Sequence, residues 1–185
     1  MTAVLDAEAI RAKRADAPKM RDRDVADQLG ISEAELVAAH CGHGALRIDA
    51  HPDVVMGAAL RLGPVMALTR NPSCVHEKIG VYENYHPGNH AAMILTEDID
   101  LRIFPSHWCH AYWVEQPGES AAKRSLQVFD AAGDAVHKIF LREGSDLAVW
   151  DALKAELALD DQTPRQSVEA RKPPEAPKSI PEKAD

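Results

Sequence analysis

The stretch TRNPSCVHEKIGVYENY, residues 69–85, ends as a β-strand, yet Arg70, His76, Glu77 and Lys78 crowd into it. Alternation sorts the side chains of 74–84 onto two faces. Val75, Glu77, Ile79 and Val81 share one; Cys74, His76, Lys78 and Tyr82 share the other. The His76 imidazole is therefore expected away from the strand's apolar side. DIDLRIF, residues 98–104, repeats the arrangement. Ile99, Leu101 and Ile103 point one way, and Asp98, Asp100, Arg102 and Phe104 the other. In HWCHAYW, residues 107–113, Trp108, His110 and Tyr112 alternate with His107, Cys109 and Trp113.

An imidazole, a guanidinium and aromatic rings on neighbouring strands suit a flat, anionic, iron-bearing ligand, haem. Neutral imidazole nitrogen is a common axial iron ligand. Arginine supplies fixed, permanently charged donors for propionates or for an iron-bound oxygen ligand, and Phe and Tyr rings can lie along a porphyrin. Apolar contact at ~25 cal/mol per Å2 would supply much of the affinity. A plainer reading stands beside this one. A lone strand histidine is ordinarily solvated, nine histidines dilute any argument from their number, and Arg102 could pair with Asp98 or Asp100. His86/His90 and His107/His110 have spacings that serve a metal on a helix, but they fall in a Pro-Gly loop and a strand. Cys41, Cys74 and Cys109 form no CxxC pair, so neither a zinc site nor a disulfide framework is expected.

With 185 residues, 45% of them hydrophobic, the chain can bury one core. A net charge of −8 argues against a nucleic-acid partner, which needs a basic footprint. MTAVLDAEAI has neither the basic nor the apolar region of a signal peptide. The longest apolar stretch, VVMGAALRLGPVMAL, is broken by Arg61 and too short for a membrane span. The expected location is cytoplasmic.

The elements that must position these residues follow from periodicity. Residues 4–40 read as helical, with SEAE placing Ser32 and Glu35 as a capping box. DVADQLGISEAELVAA also has helix-turn-helix spacing, so a transcription regulator is an alternative. Residues 1–40 hold six Lys/Arg against eight Asp/Glu, the wrong balance for a phosphate-binding face. Over 45–141 the pattern gives a short strand, a short helix between Pro52 and Gly63, then strands at 64–69, 74–84, 91–95, 98–104, 107–115, 124–130 and 135–141. Short links favour an antiparallel meander. DAAGDA places Gly133 in a hairpin. Residues 145–158 return to helical spacing, with Leu147, Trp150, Leu153 and Leu157 on one stripe. The expected fold class is α+β: a large antiparallel sheet with helices packed on it, forming one domain over 1–158. Residues 159–185 read as a disordered, proline-rich linker or tail.

Four stretches, RDRDVADQLGISEAELVAA, VMALTRNPSCVHEKIGVYEN, DIDLRIFPSHW and RSLQVFDAAGDAVHKIFL, resemble the bacterial cytoplasmic haem-trafficking and haem-degrading proteins of the HemS/ChuS type. The resemblance runs from about residue 20 to 158. It implies two structural repeats, each a large antiparallel sheet with helices, of which this chain matches the first; the tail becomes the connector. It places His76 at a haem-contacting or alternative axial position to the iron. It places Arg102 on the distal side, in a catalytic role, with Phe104 in the same pocket strand. The family's principal axial histidine lies just past the connector, where this sequence stops. The implied function is haem (hemin) binding in bacterial haem uptake and iron acquisition, passing haem on or supporting its oxidative degradation. A pure carrier and a haem oxygenase-like enzyme with an external electron donor both fit. The implied partners are a haem importer, a haem oxygenase or reductase, and a second repeat or homodimer.

Overall fold

The SEAE spacing closes as a capping box: the Ser32 hydroxyl accepts from the Glu35 N–H, and the Glu35 carboxylate accepts from the Ser32 N–H. In the computed structural model, which describes residues 5–71, 73–118, 120–171 and 173, this cap starts α3 (Glu33–Ala38), after α1 (Ala7–Ala15) and α2 (Asp22–Leu29). Gly30, in the left-handed region at φ 67, ends α2. Every residue of α3 except Glu35 is buried. The second helix of the helix-turn-helix pattern therefore presents no free face to a DNA groove, and the spacing records packing instead.

The strands are β1 (Ala45–Ile48), β2 (Pro64–Arg70), β3 (Val75–Val81), β4 (Tyr85–His86), β5 (Ala92–Leu95), β6 (Asp100–Ile103), β7 (His110–Gln116), β8 (Lys123–Phe129) and β9 (Ala135–Leu141). Two helices complete the order, α4 (Pro52–Ala59) after β1 and α5 (Leu147–Leu157) after β9. The fold is α+β with a large antiparallel sheet of order β1-β7-β8-β9-β2-β3. The meander is not continuous, because β4-β5-β6 form a separate sheet. Short links do make hairpins within each block. Between blocks, Pro105–His107 coils into a 3-10 turn, so β7 starts only at His110 and strand alternation does not apply to His107.

The register defines two faces of the large sheet. On one, Trp113, Leu126, Ile139, Ala67 and Lys78 lie in a single cross-strand row. This face meets α4, α5 and the small sheet in the main core, where Trp113 stacks on Trp150 with ring centroids 4.6 Å apart. On the other, Tyr112, Val114 and Phe129 pack against α3. Lys138, on the same face, reaches Glu33 at the start of α3. The helical layer stops there, and β3 is an edge strand beyond it. The expected apolar side of β3 is consequently the open one, with Val75 45% and Ile79 60% exposed. The side bearing His76 and Lys78 turns inward, and its Gly80 and Tyr82 are buried.

Residues 159–171 hold no helix or strand, in keeping with their composition, but the disorder expected of them is not observed. Arg47 on edge strand β1 donates to the carbonyls of Thr163 and Arg165. The Gln162 amide both accepts from the Arg47 N–H and donates to its carbonyl, as a partner strand would. The Glu169 N–H donates to the Ala131 carbonyl, and Arg171 grips Asp134 with two bonds. The physical reason is the unpaired edge of β1, which the segment satisfies. Residues 174–185 of the expected linker lie outside the described residues.

Gly133 gives a first test. Its φ is +80, and an added Cβ would collide with the Ser32 side chain that caps α3. Gly133→Ala is expected to cost about 2 kcal/mol, combining left-handed strain with loss of the cap, read as a lower urea midpoint. Among the described residues no helix is long and apolar enough to cross a membrane.

Candidate functional site

The small sheet has one core face and one free face. Ile94, Ile99 and Ile103 point into the main core, and the Tyr85 hydroxyl donates to Asp53 at 2.6 Å, tying β4 to α4. On the reverse face the register places His86 opposite Met93 and Met93 opposite Arg102. Strands lie ~4.8 Å apart, so His86 and Arg102 stand ~10 Å apart across Met93. Phe104, two residues after Arg102, is 46% exposed. The His90 ring meets it edge-on, with centroids 6.2 Å apart.

Arg102 pairs with Asp100, as its sequence position allows, with Nη1 to Oδ1 at 2.5 Å. Both side chains are more than half exposed, and such a surface pair is worth under about 1 kcal/mol. The guanidinium is thus parked and available to a stronger anion. A cation, a thioether and an exposed aromatic on a flat surface can hold a planar anionic ligand. A cleft of about 370 Å3 lies elsewhere, lined by Arg47, His51, Trp108 and His110, and includes neither Arg102 nor Phe104.

Of the residues singled out from the sequence, Arg102 and Phe104 come together on this face. His76 does not join them: it stands exposed on β3 of the large sheet, directly opposite Thr69. Lys78, two residues on, pairs with Asp98 at 2.9 Å and links β3 to the segment leading into β6. Met93 was missed by the sequence reading, and His86 and His90 were weighed there only as a metal-ligand spacing. A signal for Met93 existed, because a short link at 96–99 pairs Leu95 with Asp100 and hence Met93 with Arg102.

Beneath His76 lies a second cluster that the sequence reading also missed. His137 is buried, its Nδ1 is 2.9 Å from the Thr69 Oγ1, and its Nε2 is 2.6 Å from the Tyr82 hydroxyl. The Trp108 ring stacks over it. Burial pushes the His137 imidazole down to about 4 and pushes the Tyr82 phenol up.

Residues 30–157 match a family model described as the haemin-degrading HemS.ChuX domain. The hemin transport protein HmuS of Yersinia pestis is 37% identical over 177 residues, covering 95% of this chain and 51% of the relative. The crystal structure of holo-PhuS, a heme-binding protein from Pseudomonas aeruginosa, superposes with a TM-score of 0.84 at 37% identity, covering 91% of this chain and 49% of that one. ChuS, described as an E. coli heme oxygenase, gives a TM-score of 0.77 at 30% identity, covering 88% and 50%. The chain spans about half the length of the curated relatives it matches.

Proposed function

The chain belongs to the haemin-degrading HemS/ChuX family, and from that premise we propose that it binds haem on the free face of β4–β6, as a cytoplasmic module of bacterial haem uptake and iron acquisition. The observation that carries this reading is the exposure of Phe104 beside Arg102 on a face whose reverse is core. An exposed aromatic and a cation held only by a weak surface pair fit an apolar ring with acidic substituents.

Phe104 and Met93 give the ring an apolar seat. Arg102 would leave Asp100 to donate its fixed fork to the bound ligand, the role proposed for it in catalysis. His76, off that face on β3 of the neighbouring sheet, would offer an imidazole nitrogen to the iron, and a second repeat or a second copy of the chain would cover the site. Haem supplies the iron and the macrocycle on which oxidative ring opening would act. A haem importer upstream and a haem oxygenase or reductase downstream are the partners this role calls for. Carriage alone accounts for the residues present. Degradation with an external electron donor is the second reading, favoured by the structural likeness to ChuS. Loss of the Soret band only when air and a reductant are both supplied selects degradation, and a band that persists selects carriage.

Haem titration of variants tests the face itself. Arg102→Ala is expected to weaken binding 10-fold or more, since a charge-assisted hydrogen bond contributes about 1.5–3 kcal/mol. Phe104→Ala should weaken it less, and His76→Ala should shift the Soret band. Unchanged affinity in both Arg102→Ala and Phe104→Ala would move haem off this face.

A further inference from the structure

Thr69, His137 and Tyr82 form a hydrogen-bonded chain whose proton positions can be counted. Tyr82 is 0% and His137 4% exposed, and burial keeps the imidazole neutral near pH 7. A neutral imidazole carries one N–H. Were it on Nε2, it would be donated to the Tyr82 oxygen, and the phenol hydrogen would be left in the core facing away from its one close acceptor. With the hydrogen on Nδ1, every group is satisfied: Tyr82 donates to Nε2, and Nδ1–H donates to the Thr69 Oγ1. The Thr69 hydroxyl then keeps one lone pair and its own hydrogen, on an exposed residue. Directly opposite on β3 stands His76, and such opposed Cβ atoms lie ~5 Å apart.

We propose that Thr69 is the positioning residue of His76: its hydroxyl, oriented from the core by Tyr82 and His137, accepts the His76 Nδ1–H and so fixes the imidazole with Nε2 free to face a metal. The reading rests on the proposed haem contact of His76. Metal-ligating histidines depend on such an acceptor for their tautomer and orientation. The arrangement also explains why a histidine is held in the core without a charge partner. It aims a surface hydroxyl through a rigid buried pair, whereas the hydroxyl hydrogen of a threonine alone would rotate freely.

The first measurement needs no haem. In the 15N-histidine-labelled protein, long-range proton–nitrogen correlation should show His137 protonated on Nδ1. Thr69→Val, which removes the acceptor and preserves shape, should move the proton to Nε2, and Thr69→Ser should restore it. In haem titrations Thr69→Val should weaken binding ~10-fold and Thr69→Ser no more than ~2-fold. The Thr69→Val effect should vanish in a His76→Ala background. A wild-type His137 protonated on Nε2, or a Thr69→Val loss that persists without His76, overturns the proposal. If His76→Ala alone leaves affinity and the Soret band unchanged, the haem contact is what fails, and the tautomer result obtained without haem tells the two apart.

Discussion

Glu33→Ala is expected to lower the unfolding free energy by about 3–5 kcal/mol, the typical cost of stripping one partner from a buried ion pair. Glu33 opens α3 and Lys138 lies on β9, with side chains 7% and 9% exposed. The variant would strip the Lys138 ammonium of its carboxylate and leave it in the interior beside the Phe129 ring, 5.6 Å away. Domains of this size hold only about 5–15 kcal/mol in all, so the urea midpoint should fall far. The double variant Glu33→Leu, Lys138→Met should recover most of the loss, because two apolar side chains need no desolvated charge. A cost for Glu33→Ala under about 1 kcal/mol would place the pair in solvent. The result bears on the fold, because this pair marks where the helical layer ends, short of edge strand β3 and its exposed Val75 and Ile79.

Composition and alternation carry a reader to the large antiparallel sheet, the three-helix start and the closing helix, since each rests on local signals. The Ser32–Glu35 cap, Gly30 and the stripe through Trp150 and Leu153 are read within one or two turns. Which face of β3 is core is not a local property. Val75 and Ile79 look like core residues, and the helices that would cover them stop at Lys138. Likewise, the break after β3 into a second sheet depends on inter-sheet packing of Ile94, Ile99 and Ile103. For the site, Arg102 and Phe104 are visible as an i, i+2 pair. Their neighbours Met93 and His86 require a register across two strands. His137 is hidden for a different reason. Its role comes from Thr69 and Tyr82, 68 and 55 residues away in sequence, and no spacing rule joins them. The docking of 159–171 follows from an unpaired strand edge, which composition cannot register.

The same histidine should make the protein acid-sensitive in a defined window. Its pKa is about 4 when folded, against 6.5 for the free side chain. Between these values the unfolded chain takes up a proton that the native state refuses, so stability falls as pH drops. The contribution is intact above about pH 6.5, is lost progressively towards 4, and is constant below. At ~1.4 kcal/mol per pH unit the full loss is about 3 kcal/mol. His137→Asn removes this titration while leaving every carboxylate in place. The variant should be the less stable at pH 7, and the gap between it and the wild type should close by about 3 kcal/mol by pH 4. Urea unfolding followed by tryptophan fluorescence at pH 7, 5.5 and 4 measures that gap. Differencing against the variant cancels the acid effects common to both chains. A gap that stays constant with pH would mean that His137 accepts its proton inside the fold. In that case the donor count that leaves the Thr69 hydroxyl pointing at His76 holds only above the free imidazole's pKa, because a doubly protonated ring donates to both neighbours and Tyr82 can no longer donate to Nε2.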